Sequence, residues 1–273
     1  MHSNMLEVRK LTPVIGAEII GVDLMETLAD AELTTIKQAL RDHLVIFFRD
    51  QNISVEQHKA FGRLFGDLVA HPAAKAEIPG HPEIRVVAAD EKSTWVAGEL
   101  WHSDMSCQPE PPMGSILHIK TVPPDGGGDT AFSSMYAAYD ALSRPMRTML
   151  EGLTAVHDSG ELYSGGMYTR SDKTAPSAEH PVVRTHPVTG RKCLFVNPVF
   201  TKKMVGLPKI ESEAILEFLY RHCEAFEFQC RFKWRANSIA FWDNRCAMHK
   251  AVWDYYPHKR YGHRINIRGE RPV

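Results

Sequence analysis

His102 and Asp104 stand two residues apart in Trp101-His102-Ser103-Asp104, and His249 follows far downstream, after Trp242-Asp243-Asn244-Arg245. Residues i and i+2 of a strand project to one face, so His102 and Asp104 can aim at a single point. If His249 aims there too, the fold must bring two distant sheet segments together on one centre. Pro111 and Pro112 come soon after the pair, which puts it at a strand end or loop. Two imidazoles and one carboxylate can occupy one face of a metal and leave its other positions open. A His-x-Asp triplet also arises by chance in a chain with 14 histidines, and then it is a hydrogen-bonded pair or plain polar surface. The surroundings have to decide.

The rest of the chain reads as β-rich, with helices on the outside. Asp30 can cap a helix whose Leu33, Ile36, Ala39 and Leu40 share a face. Leu44 to Phe48 reads as a buried strand. Ser54 and Gln57 form a capping box for a helix with Phe61, Leu64 and Phe65 inward and Gly66 at its end. Further strands are expected at Ile84–Ala88, Ser115–Thr121, Phe228–Trp234, Ser238–Trp242 and His263–Arg268, with helices at Met135–Leu142 and Glu211–Cys223. The polar, Gly- and Ser-rich segment 158–180 is expected to be a lid-like insertion. Residues 1–273 are therefore read as a single domain, mostly β with flanking helices.

The bulk numbers narrow the partners. With 44% hydrophobic and 24% charged residues the chain can bury an ordinary core. Its 32 basic and 33 acidic residues give a formal charge of −1 and form no basic block, which argues against nucleic acid or a membrane surface as partner. Five scattered cysteines without a Cys-x-x-Cys pair fit reduced thiols in the cytoplasm better than disulfides or a zinc site. The N-terminus lacks the apolar stretch of a signal peptide, and Leu44–Phe48 is too short to span a bilayer.

Two histidines and a carboxylate with open positions are the pattern of non-haem Fe(II) oxygenases. The neighbouring motifs agree. Gly127-Gly128-Asp129-Thr130 follows the His-x-Asp pair, and Arg260 and Arg264 follow His249. With Val14-Ile15-Gly16-Ala17-Glu18-Ile19 near the start and His180-Pro181-Val182-Val183-Arg184-Thr185-His186-Pro187 in the middle, the chain resembles the taurine dioxygenase/chlorophenoxyacetate dioxygenase family. That family uses Fe(II), 2-oxoglutarate and O₂ on a double-stranded β-helix, or jelly roll.

The resemblance implies a role for each residue. His102, Asp104 and His249 would hold Fe(II) and form the catalytic centre. Arg260 would pair with the distal carboxylate of 2-oxoglutarate, assisted by Thr130. Arg264 and His71 would bind the acidic group of the substrate. From the strand alone, Arg260 and Arg264 share a face about 13 Å apart, too far to grip one carboxylate and therefore suited to two anions. Gly127 and Gly128 are read as letting the backbone turn so that Thr130 reaches the site. Asp243 and Arg245 are read as structural, and Trp101 and Trp242 as core or wall aromatics.

The implied reaction hydroxylates an aliphatic C–H of a small organic anion (a sulfonate, sulfate ester or aryloxy or alkyl carboxylate), with 2-oxoglutarate going to succinate and CO₂. Taurine is not the expected substrate. Positions that bind its amine in the taurine enzyme are Ala74 and Gly98 here, and Cys107 stands where a phenylalanine is usual. Tyr163, Met167 and Tyr168 could add an apolar wall. A homo-oligomer, dimer or tetramer, is the family expectation. A metal-dependent hydrolase using the same triad and a non-catalytic ligand-binding relative remain as alternatives. The first would need neither Arg260 nor Thr130.

Overall fold

The computed structural model describes residues 6–70, 78–161 and 175–273. The strands are β1 (Glu7–Lys10), β2 (Ala17–Ile20), β3 (Val45–Phe48), β4 (Leu68–Val69), β5 (Arg85–Ala89), β6 (Gly114–Thr121), β7 (Thr130–Ser134), β8 (Thr154–Asp158), β9 (Ser177–Pro181), β10 (Val183–Thr185), β11 (Lys192–Leu194), β12 (Thr201–Met204), β13 (Gln229–Phe232), β14 (Ser238–Asp243), β15 (Ala247–Ala251) and β16 (Arg260–Ile267). The α-helices are α1 (Asp30–His43), α2 (Val55–Arg63), α3 (Met135–Ala141), α4 (Arg144–Leu150) and α5 (Lys209–Cys223).

Eight strands form the main sheet in the order β1-β2-β3-β14-β6-β16-β4, with β5 also paired to β16. A smaller sheet, β13-β7-β15, carries His249 and Thr130. Two of its inner strands, β3 and β14, read as nearly continuous apolar runs because both faces are covered. Val45 and Phe47 of β3, Leu117 and Ile119 of β6, and Ala240 and Trp242 of β14 join Phe132, Phe232 and Met248 in one core cluster. The alternate residues Ile46, Phe48, Ile116, Ile239 and Phe241 join Ile36, Leu40 and Phe61 of α1 and α2 in another. Phe47 stacks on Phe232 with ring centroids 3.9 Å apart, tying the main sheet to the smaller one. At about 25 cal/mol per Å² of apolar surface, these two clusters are the main favourable contribution to folding.

Local expectations hold with shifts at the ends. The capping box of Ser54 and Gln57 is present at the start of α2. For α1 the cap is Ala29 rather than Asp30. Glu32 reaches back to the Ala29 N–H, and Asp30 sits in the first turn, where its charge favours the helix N-terminus. Leu64 falls beyond α2 and is largely exposed, whereas Phe65 packs edge-on against Phe241. The expected strand at Phe228–Trp234 begins one residue later, after a 3₁₀ turn at Phe226–Phe228. Both ends of the expected 158–180 insertion are strand, since β8 pairs with β9 from Thr154↔Pro181 to Asp158↔Ser177. Tyr163, Met167 and Tyr168, like His71 and Ala74, lie outside the described residues. All five cysteines are buried thiols. Among the described residues no helix is long and apolar enough to cross a membrane.

Candidate active site between the sheets

His102 and His249 meet as an isolated antiparallel bridge between the 101–104 segment and the middle of β15. Each donates its N–H to the other's carbonyl, at 3.0 and 2.9 Å. This pairing brings the segments together and sets the imidazole centroids 4.1 Å apart. The chain then turns sharply after Asp104, with Met105 at φ 51°, a conformation that costs a non-glycine residue energy and that the packed surroundings enforce. One ligand atom from each of His102, Asp104 and His249 lies within 4.8 Å of the others.

Hydrogen bonding orients each donor. The Nδ1–H of His102 donates to the Leu100 carbonyl at 2.8 Å, leaving Nε2 as a lone pair facing Asp104 Oδ1 at 3.6 Å. His249 Nε2 faces Asp104 Oδ2 at 4.0 Å, and its ring packs against Trp242 at 4.6 Å. Asp104 Oδ2 accepts from Ser115 Oγ at 2.7 Å, and Oδ1 accepts from Arg264 Nη1 at 2.8 Å. Ser115 accepts in turn from Asn244 Nδ2 at 2.9 Å, and Asn244 Oδ1 accepts from the Trp242 indole at 2.9 Å. Burial by itself would raise the Asp104 pKa. Arg264, His249 and His102 outweigh it and hold the carboxyl well below the ordinary aspartate range. For His249, burial and then the neighbouring His102 push the imidazole well below its ordinary value. An ionised carboxylate with a neutral imidazole is the state in which such groups bind a cation.

Arg260 and Arg264 lie on the same face of β16, as their spacing requires, and both line one cavity with Thr130, Trp242 and the three donors. Its volume is about 420 Å³, the size of a small-molecule site. Arg260 is only 4% exposed. Its Nε donates to the Gly128 carbonyl at 3.0 Å, while Nη2 is buried with no hydrogen-bond partner among the described residues. Desolvation draws its pKa down, against Tyr255 and Asp129, yet a guanidinium stays charged at neutral pH. An unspent buried donor of this kind calls for an anionic acceptor from outside the chain. Thr130 Oγ1 accepts from the Trp234 indole at 3.0 Å, so its own proton is left to donate.

The glycine turn acts on Arg260 as well as on Thr130. Gly128 has φ +81°, and a Cβ there would lie 2.9 Å from Arg260 Cδ. Any side chain at this position would displace the guanidinium.

A second group, His186, Asp243 and Cys246, also has the spacing of a cation site. Its polar atoms are already spent. Arg245 donates to Asp243 from Nε and Nη2 at 2.8 and 2.7 Å, and His186 Nε2 donates to it at 3.1 Å while Nδ1 accepts from Val188 and Thr189. Asp243 and Arg245 are therefore a buried structural pair, as their sequence context suggests.

Sequence reasoning passed over Ser115, Asn266 and Asn244. Asn244 lies inside a motif singled out for other reasons, and only its position beside Ser115 gives it a part in the site.

Known proteins share this sequence and geometry. The profile of the "Taurine catabolism dioxygenase TauD, TfdA family" matches residues 7–266. An alpha-ketoglutarate-dependent sulfonate dioxygenase of Saccharomyces cerevisiae is 37% identical, the alignment covering 98% of this chain and 68% of that one. An alpha-ketoglutarate-dependent sulfate ester dioxygenase of Pseudomonas putida is 34% identical, over 100% of this chain and 92% of that one. The crystal structure of a taurine dioxygenase from Burkholderia xenovorans superposes with a TM-score of 0.86 at 38% identity, covering 98% of this chain and 91% of that one.

Proposed function

The chain belongs to the TauD/TfdA family and is a 2-oxoglutarate-dependent dioxygenase; from that premise we propose that it uses Fe(II) to hydroxylate an aliphatic C–H of a small organic anion. The observation that carries this reading is one cavity holding a His-Asp-His donor set, a buried arginine with an unspent N–H, and a second arginine four residues along the same strand. Two imidazole nitrogens and a carboxylate fit a divalent first-row metal and leave positions for two further ligands. Bound there, iron would supply the O₂-dependent oxidative decarboxylation of 2-oxoglutarate to succinate and CO₂, one oxygen atom going to succinate and the other to the hydroxylated substrate.

The chain's own residues bind, orient and exclude water. His102 and His249 present Nε2, and Asp104 presents a carboxylate fixed by Ser115. Arg260 and Thr130 would hold the distal carboxylate of 2-oxoglutarate. Arg264 would take the acidic group of the substrate. Met105, Cys107, Leu117, Val199 and Phe200 supply an apolar wall. The two sheets then form a double-stranded β-helix, and residues 1–273 one dioxygenase domain.

The same geometry disfavours taurine. Gly98 sits at φ +87°, and a Cβ there would come within 3.0 Å of His102 Cε1. A side chain at this position would be strained at that φ and would press on the His102 ring. The substrate we expect is a larger sulfonate, sulfate ester or ether-linked carboxylate, whose apolar body meets the wall and whose carbon beside the heteroatom is hydroxylated. Succinate formation with Fe(II), ascorbate and O₂ across a panel of these anions tests the reading. It stands if one of them raises turnover above the substrate-free rate and fails if none does.

A further inference from the structure

We propose that Arg85 is a specificity-determining residue, which with Arg264 makes a two-guanidinium cradle for a three-oxygen anion, a sulfonate or sulfate. The proposal rests on the reading of Arg264 as the substrate's anion partner. Arg85 lies directly opposite Arg264 in the antiparallel β5–β16 ladder. Opposed residues project to one face with Cβ atoms about 5 Å apart. Both line the cavity, and Arg264 is known to point into it from its contact with Asp104.

The two ends of this ladder differ in charge. Arg260, on the co-substrate side, faces Ala89, which is small and neutral. Arg264 faces a second arginine. An anion seated between two opposed guanidinium groups can accept hydrogen bonds from both. Arg264 has capacity for such an anion. Its Nη1 is committed to Asp104, but its Nε is buried and makes no hydrogen bond among the described residues.

Oxygen count then separates the anion classes. A carboxylate spends both oxygens on one guanidinium fork. A sulfonate or sulfate keeps a third oxygen for the neighbouring guanidinium. The predicted preference is for the sulfur anion over a carboxylate on the same carbon chain, with Arg85 as its cause.

The test is calorimetric titration of hexanesulfonate and of hexanoate into protein loaded with Mn(II) and 2-oxoglutarate. Wild type should bind the sulfonate about tenfold more tightly, the size of one added charge-assisted hydrogen bond. Arg85→Gln should reduce the ratio to about threefold or less through loss on the sulfonate side, and Arg85→Lys should recover part of it. Equal weakening of both anions would reduce Arg85 to a general electrostatic or structural role and overturn the proposal, as would an unchanged ratio. Succinate assays run beside the titration separate this failure from the broader one. If either anion stimulates turnover while the ratio ignores Arg85, the dioxygenase reading stands and the cradle falls. If wild type binds neither anion and none of the wider panel stimulates turnover, the substrate reading falls, and the cradle with it.

Discussion

Along β16, Arg260 and Arg264 face the gap between the sheets, whereas Ile265 and Ile267 pack with Phe61 of α2 on the other side. The same alternation gives each face its own buried polar groups. Toward the gap, Asp104 is matched by Arg264 and Ser115, and Arg260 is left with a spare donor. Toward α2, three histidines, His58, His118 and His263, are gathered in the interior. His263 pairs across the ladder with His118, whose ring lies 5.9 Å from that of His58. The gap side keeps its charges because they answer one another or await a ligand. The helix side keeps its polar groups by making them neutral. Burial first, then like-charged neighbours including Lys120, brings His58 down to about 3 and His118 and His263 to about 4. One sheet thus separates a face adapted for binding from a face adapted for packing, and each should respond to its own perturbation.

The largest effect expected is on the gap side. Asp104→Ala removes the only anionic donor of the triad and should weaken Mn(II) binding by more than about a hundredfold, since even supporting partners of a metal ligand are worth ten- to a hundredfold. In wild type, Mn(II) with 2-oxoglutarate at a hundred times its Kd should stabilise the fold by roughly 2.7 kcal/mol, and in Asp104→Ala this thermal shift should vanish. A shift that survived the substitution would place the metal elsewhere.

The two arginines sharpen the division within the gap side. With the metal kept saturating, Arg264→Ala should abolish substrate-stimulated turnover while leaving 2-oxoglutarate binding within about twofold. Arg260→Ala should weaken 2-oxoglutarate by about a hundredfold, the size of a lost buried charge-assisted contact. Titration of 2-oxoglutarate in both variants decides this, and the reverse pattern would exchange their roles.

On the helix side the expected effect is on stability and depends on pH. Unfolded histidines take up a proton near pH 6.5, whereas the folded ones resist until about 4 or 3. Between these values the unfolded state binds more protons, so stability falls as pH drops from about 6.5 toward 4. For a histidine as shielded as His58, 1% exposed, the loss amounts to about 2 kcal/mol at pH 5. His58→Leu should flatten the fall in urea midpoint between pH 7 and 5 and leave Mn(II) affinity unchanged. An unaltered slope would show that the acid loss arises in the carboxylates instead.

This division also explains what could be read from the sequence. The His-x-Asp pair, the spacing of the arginines and the apolar runs of β3 and β14 are local patterns, each carried by a few neighbouring residues. His249 was recognisable by motif, but its strand β15 was not, because Ala247–Ala251 is short and does not alternate. The histidine cluster gave no signal, since its members come from α2, β6 and β16 and meet only after the sheet has formed. Arg85 was hidden for the same reason. It is an ordinary residue in an expected strand until the β5–β16 register sets it opposite Arg264. Ser115, Asn244 and Asn266 are common polar residues whose importance comes from where the ladders place them.

Those residues give the smallest and most specific test of the gap side. Ser115 Oγ lies 2.7 Å from Asp104 Oδ2 and 3.1 Å from Asn266 Oδ1, and it accepts from Asn244. Its single proton can serve one acceptor, and the shorter contact with an ionised carboxylate takes it. Ser115→Ala therefore removes one orienting bond from Asp104 while leaving Arg264 on the other oxygen. Metal affinity should fall about tenfold, the lower end for loss of a ligand's hydrogen-bonding partner. The fold should lose well under about 1 kcal/mol, because Asn244 and Asn266 can turn toward each other in the space left and no polar group is stranded. The expected signature is a weakened Mn(II) Kd with a nearly unchanged urea midpoint at pH 7, opposite to that of His58→Leu, which acts on acid stability and spares the metal. If Ser115→Ala lowered stability and affinity in proportion, the two faces would be coupled through β6, and the sheet would be a single mechanical unit rather than a partition between binding and packing.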